Sequence, residues 1–241
     1  MTKIGLYGDS FTGEVVSSNS GITYHWSTLL ADSIGGELTN FGRAGSSIYY
    51  SYRNFLENYN KFDLNIFVIS MPDRYIKPIT LNQGDIAFIP NIDTLEYFAK
   101  TNQLSEKEKT HLVGWFISSD EVYHTDMTDL MIDKIVELDP SVVLIPGFKD
   151  ALSSGLSRKL GNAIDLIELQ QKQALDYNAN LPNLIAHYEE NLDIISGHFT
   201  PEYNEYLFKV IKTRIDTGIW NNIPMPKMEF KYSFNEVFIK R

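Results

Sequence analysis

Apolar residues fall along this chain in two rhythms. Short, nearly unbroken runs at 3–7, 63–70 and 141–145 alternate with longer stretches in which apolar residues recur every three or four positions. An unbroken run predicts a strand covered on both faces, hence a parallel sheet. The longer rhythm predicts helices that lay one face on that sheet. The first strand is 3–7, and a helix follows over 24–34, with Trp26, Leu29, Leu30 and Ser33 near helical spacing and Gly35-Gly36 ending it. A short second strand takes 37–41, a loop of small residues 42–47, and a second helix 48–58. The third strand, 63–70, carries Leu64, Ile66, Phe67, Val68 and Ile69. The fourth is 141–145, closed by Pro146-Gly147, and a fifth is read at 184–188. The last helix covers 200–215, with Thr200 as N-cap and Pro201 at the first helical position.

Between the third and fourth strands lies an insertion, residues 76–138. Its first part, 76–91, holds Pro78, Gly84 and Pro90 and reads as loop; 93–100, 105–116 and 127–138 read as helices. Ser105 and Glu108 have capping-box spacing. The stretch 149–180 is mixed, with a helix across 164–175. Alternating strands and helices predict a doubly wound α/β fold, a three-layer sandwich of about five parallel strands, in one domain over 1–218. The remainder, 219–241, differs. After Pro224 and Pro226, residues Met228, Phe230, Tyr232 and Phe234 alternate with polar positions, which predicts a strand or hairpin. Such a tail, 228–241, suits contact with a second copy or a larger assembly.

Composition narrows this picture. At 241 residues and 43% hydrophobic, the chain has enough material for one substantial core. It has no cysteine, which excludes disulfides, thiolate metal sites and a thiol nucleophile. A net charge of -10 argues against sequence-independent nucleic-acid binding and against docking on an anionic membrane face. No apolar run reaches the length of a membrane span, and no secretory signal follows Met1, so the expected place is the cytoplasm at synthesis, or a virion. No dinucleotide or Walker pattern is present, and no cofactor or metal is expected. The acidic group Asp120, Glu121, Asp126, Asp129 and Asp133, with His124, reads as a solvated helix face.

The candidate chemistry sits after the strands. Gly8-Asp9-Ser10 breaks the first strand sharply. A serine at such a break can hold its hydroxyl clear of the sheet, with its backbone N–H facing the place where negative charge would develop on an attacked carbonyl. Ser10, Gly45, Asp73 and His198 all fall after predicted strands, on the edge where ligands bind in sheets of this kind. Of the five histidines, His25, His111, His124, His187 and His198, the last stands two residues before a capped helix, where an imidazole can be presented at the mouth.

Taken together, these residues resemble the SGNH (GDSL-type) hydrolases. Gly8-Asp9-Ser10-Phe11-Thr12 is similar to that family's first block, Asn40-Phe41-Gly42-Arg43-Ala44-Gly45-Ser46 to its second, and His198-Phe199-Thr200-Pro201-Glu202-Tyr203-Asn204 to its last. The resemblance runs from Lys3 to about Gly218 and implies a flavodoxin-like sandwich and a serine esterase. By that resemblance Ser10 is the nucleophile and His198 the base, and the N–H groups of Ser10 and Gly45 hold the oxyanion. A short acyl ester, acetyl first, on a carbohydrate would be the substrate, with Asp9, Asp73 and Tyr75 near it. Two positions depart from the pattern. The third block's asparagine is absent from Ser70-Met71-Pro72-Asp73-Arg74-Tyr75, where Arg74 either donates to the oxyanion or pairs with Asp73. The orienting aspartate three residues before the histidine is Ile195, so either Asp193 reaches the imidazole or a backbone carbonyl sets its tautomer. These departures keep a second reading open, a weakly active or non-catalytic module of an assembly.

Overall fold

The structure, a computed structural model, describes residues 1–13, 25–76, 78–82, 84, 86–118, 120–176, 199 and 201–220. In chain order the elements are β1 (Lys3–Tyr7), α1 (Trp26–Ser33), β2 (Glu37–Asn40), α2 (Ile48–Asn58), β3 (Leu64–Ile69), β4 (Ile79–Thr80), β5 (Ile86–Ala87) and α3 (Ile92–Lys100). They continue with α4 (Glu106–Ser118), α5 (Glu121–Leu138), β6 (Val143–Pro146), α6 (Ser154–Leu160), α7 (Leu166–Asp176) and α8 (Pro201–Thr217).

Four strands form a parallel sheet in the order β2-β1-β3-β6, with Leu6 opposite both Asn40 and Ile66, and Ile66 opposite Val143. Alternation along each strand sorts side chains to two faces. Ile4, Leu6, Ile66, Val68, Val143 and Ile145 meet Trp26 and Leu30 of α1, Leu166 of α7, and Tyr203, Leu207 and Ile211 of α8. Tyr7, Phe67 and Ile69 meet Ile48 and Phe55 of α2, Ile132 and Ile135 of α5, and Leu156 and Leu160 of α6. Helices cover both faces, so the fold is a doubly wound α/β sandwich. Each large side chain buried this way contributes about 1.5–3 kcal/mol relative to exposure. The chain steps from β1 outward to β2, then returns past β1 to β3. The order therefore reverses between the carboxyl ends of β1 and β3, the crevice where such sheets take ligands.

Helix α2 matches its expected span, and the Ser105–Glu108 capping box forms: the Ser105 N–H donates to Glu108 Oε2 at 2.8 Å and the Glu108 N–H to Ser105 Oγ at 3.3 Å. Other limits shift. Helix α5 begins at Glu121, ahead of the expected 127, because the Asp120 carboxylate caps it through the Val122 N–H at 2.9 Å. Part of the expected loop at 76–91 is an antiparallel ribbon, β4 with β5, whose two-residue strands are too short to leave a period in the sequence. The insertion has its own core of Tyr75, Leu81, Ile89, Leu95, Leu104 and Leu112. Helix α5 does not belong to that core; it lies on the sheet as the crossover between β3 and β6. The expected fifth strand at 184–188 and the tail beyond Trp220 lie outside the described residues.

Candidate active site

The turn that ends β1 is braced at almost every polar atom. The Gly8 carbonyl accepts from the Arg43 N–H, the Ser46 hydroxyl and the Ser51 hydroxyl, each at 3.2 Å. The Asp9 carbonyl accepts from the Thr12 N–H at 3.1 Å and the Thr12 hydroxyl at 2.7 Å. Gly13 N–H donates to the Ser10 carbonyl at 3.2 Å, and the Asn40 amide donates to the Thr12 carbonyl. Across residues 4–12 every residue is buried except Ser10, which is partly exposed. The turn thus lifts one side chain to the surface and locks its neighbours beneath.

The loop that follows β2 fits against this turn. At Gly42 an added Cβ would collide with the Thr12 hydroxyl, so the close approach requires glycine. Gly45 has φ +73, and the Ser46 N–H donates back to the Arg43 carbonyl at 3.0 Å, the pattern of a type II turn with glycine at its third position. Ser47 then caps α2, its hydroxyl accepting from the Tyr50 N–H at 3.4 Å. The insertion leans on this loop. An added Cβ at Gly45 would stand 3.4 Å from Phe88 and 3.7 Å from Pro90, and the Phe88 ring meets Tyr50 edge-on at 5.1 Å.

Arg74 closes the mouth from the β3 side. Its Nη1 donates to Asp9 Oδ2 at 2.6 Å and to the Ser46 carbonyl at 3.1 Å, and its guanidinium lies 5.1 Å from the centre of the Phe148 ring. The partner is therefore Asp9, not the adjacent Asp73, which stands exposed. Asp9 was expected near the substrate, but it is fully buried, with Oδ1 accepting from the Phe11 N–H at 3.1 Å and Oδ2 on Arg74. A carboxylate enclosed and bonded on both oxygens supports the turn and has no face for a ligand. Tyr75 departs in the same sense. It is buried in the insertion's core, edge-on to Trp115 at 5.5 Å, with its hydroxyl 3.1 Å from His111 Nε2, and burial raises its pKa above the ordinary tyrosine value.

The last block reaches the same place. Phe199, fully buried, stacks on Phe11 with ring centroids 5.7 Å apart and planes 25° from parallel. The Phe199 carbonyl accepts from the Asn204 amide at 2.8 Å, and Asn204 Oδ1 accepts from the Trp26 N–H at 3.0 Å. So the residue after Ser10 packs on the residue after His198. His198 and Asp193 themselves lie outside the described residues.

A further contact left no mark in the sequence. The Phe11 carbonyl accepts from Trp26 Nε1 at 3.1 Å and from His25 Nε2 at 3.2 Å. A carbonyl only accepts, so Nε2 carries the proton and His25 Nδ1 accepts from the Ser27 hydroxyl at 2.6 Å and N–H at 3.3 Å. Burial pushes the His25 pKa down to about 4, opposed by its bond to Phe11, so the ring is neutral at pH 7. His25 is a brace for the turn. Among the described residues no group of three or more His, Cys, Asp or Glu side chains could hold a metal ion, and no helix is long and apolar enough to cross a membrane.

Fold and mouth together define a doubly wound α/β protein with one accessible serine on a braced turn at its switch point. No family model matches the chain, and no curated protein matches it. Among solved structures it is similar to a lipase/acylhydrolase from Enterococcus faecalis, 15% identical over 92% of this chain and 100% of that one, with a TM-score of 0.37. It is similar also to a member of the lipolytic G-D-S-L family from Veillonella parvula, 14% identical over 90% and 98% of the two chains, TM-score 0.33. An acetyl xylan esterase from the rumen bacterium Butyrivibrio proteoclasticus is 11% identical over 90% of this chain and 64% of that one, TM-score 0.38. Superpositions this loose carry no shared site or activity, so the chemistry is argued from this chain's own residues.

Proposed function

We propose that the chain is a serine ester hydrolase of the SGNH type. Ser10 Oγ attacks the ester carbonyl while His198 takes its proton. The backbone N–H groups of Ser10 and Gly45 hold the oxyanion. The C–O bond to the alcohol breaks and His198 returns the proton to that oxygen. Water then attacks the acyl-serine, again through His198, and releases the carboxylic acid. Two chain segments nearly two hundred positions apart must meet for this. The observation that carries the reading is the stacking of Phe11 on Phe199, which packs the immediate chain neighbours of nucleophile and base together at 5.7 Å. The exposure of Ser10 alone within residues 4–12 supports it.

The substrate is a short acyl ester, acetyl first, on a polar alcohol such as a carbohydrate hydroxyl. Phe88 and Pro90 border Gly45, which suits a small acyl group over a long chain. Ser10→Ala tests the mechanism. Hydrolysis of a small chromogenic acetate ester should fall on the order of 10⁶-fold with the melting temperature unchanged. Turnover equal to that of the wild type would remove Ser10 from the chemistry.

A further inference from the structure

We propose that Arg74 is a positioning residue that sets the spacing of the two oxyanion N–H groups. The inference rests on the acyl-transfer reading of Ser10. One nitrogen, Nη1, is bonded to Asp9 Oδ2 at 2.6 Å and to the Ser46 carbonyl at 3.1 Å. Asp9 is the residue before Ser10, and Ser46 is the residue after Gly45. Arg74 therefore fastens the immediate neighbours of both proposed donors, and it does so from a third loop, across the switch point between β1 and β3.

Neither end of this bridge is free to drift. Asp9 is held through its other oxygen by the Phe11 N–H. The guanidinium is packed on Phe148, whose ring also meets Phe11 at 5.7 Å between centroids. Arg74 is 8% exposed and Asp9 0%, so water does not screen the pair. A charge-assisted bond in such surroundings is short and directional. An oxyanion is stabilised only when both donors sit at about 2.7–3.1 Å from where the charge forms. A residue that fixes the separation of two loops can thus govern rate without touching the substrate. Through Nη1, Arg74 stands in the third block's place as a bridge between the Ser10 turn and the Gly45 loop. Lysine would keep the charge but lacks the flat guanidinium that packs on Phe148 while Nη1 bridges Asp9 and Ser46.

The test uses the full chain, a small chromogenic acetate ester, and a fluorophosphonate that reacts with the serine hydroxyl. Arg74→Lys and Asp9→Asn should each lower kcat by on the order of 100-fold, the size of a misplacement of about 1 Å, with KM within about twofold. Phosphonylation of Ser10 should slow in step, because the adduct places a negative oxygen in the same hole. The double variant Asp9→Asn/Arg74→Lys should lose no more than the worse single variant, since both break one bridge. If Arg74→Lys does not fold, Asp9→Asn, which keeps the side-chain volume, is read alone. Wild-type kcat in the folded variants overturns the proposal, and so does a raised KM at unchanged kcat, which would make Arg74 a substrate contact. An inert wild type, indistinguishable from Ser10→Ala, overturns the acyl-transfer reading instead, and the positioning role falls with it.

Discussion

The turn at residues 8–13 and the insertion at residues 75–118 both stand outside the sheet, and they are held by opposite means. The turn is held by polar bonds at fixed geometry: three donors on the Gly8 carbonyl, two on the Phe11 carbonyl, and a buried carboxylate–guanidinium pair. The insertion is held by an apolar cluster around Ile89, Leu95 and Leu112, with large residues such as Tyr97 and Ile117 left at its surface. Apolar packing is graded and tolerates rearrangement. A buried polar network is all-or-none, because a partner left behind is unsatisfied. The region that presents Ser10 is thus held by directional polar bonds, and the region that borders Gly45 by apolar packing.

The largest break in this comparison should come from Arg74→Met. It strands the Asp9 carboxylate in the interior and should cost about 3–5 kcal/mol of stability, read by denaturant unfolding. A cost below about 1 kcal/mol would mean that water reaches Asp9 and that the pair is not sealed.

The next effect depends on pH. His25 has a folded pKa of about 4 against an ordinary 6.5, lowered by burial. Between those values the unfolded chain takes up a proton that the folded chain refuses. Stability is therefore full above the ordinary value and declines as pH falls, by on the order of 3 kcal/mol near pH 4. His25→Gln should flatten that decline, seen as a smaller drop in melting temperature between about pH 7 and about pH 4.5. An unchanged slope would mean that other groups set the acid sensitivity.

The smallest effect sharpens the other side. Leu112→Ala should remove about 2–3 kcal/mol, but from the insertion's own cluster. Hydrogen exchange within 75–118 should quicken while the sheet stays protected and acetate-ester turnover changes less than about threefold. Equal loss of protection in β1 and β3 would show that the two regions unfold as one.

Much of the fold was legible because it is written in local periods. The unbroken runs at Leu64–Ile69 and Lys3–Tyr7 and the amphipathic span Ile48–Asn58 announce themselves whatever surrounds them. The ribbon of β4 and β5 was not legible, because two residues cannot express a period. The site divided the same way. Ser10 was visible as the residue at which the first strand breaks, a property of a few neighbouring positions, and Gly45 through the resemblance of its block; its φ of +73 came only with the structure. Asp9 and Tyr75, expected beside a substrate, are buried by residues distant in sequence, which no window of sequence contains.

By itself, then, the sequence determined that strands and helices alternate, that the first strand breaks at a serine, and that a histidine precedes the last helix. Only the tertiary structure decided that Arg74 pairs with Asp9 and not with its neighbour Asp73, that His25 and Trp26 grip the Phe11 carbonyl, and that Phe11 stacks on Phe199. The physical reason is distance along the chain. Local propensity acts over a few residues, whereas the Asp9–Arg74 bond joins positions 65 apart, and the choice between two carboxylates is made by which one the packed sheet leaves buried and waiting for a charge.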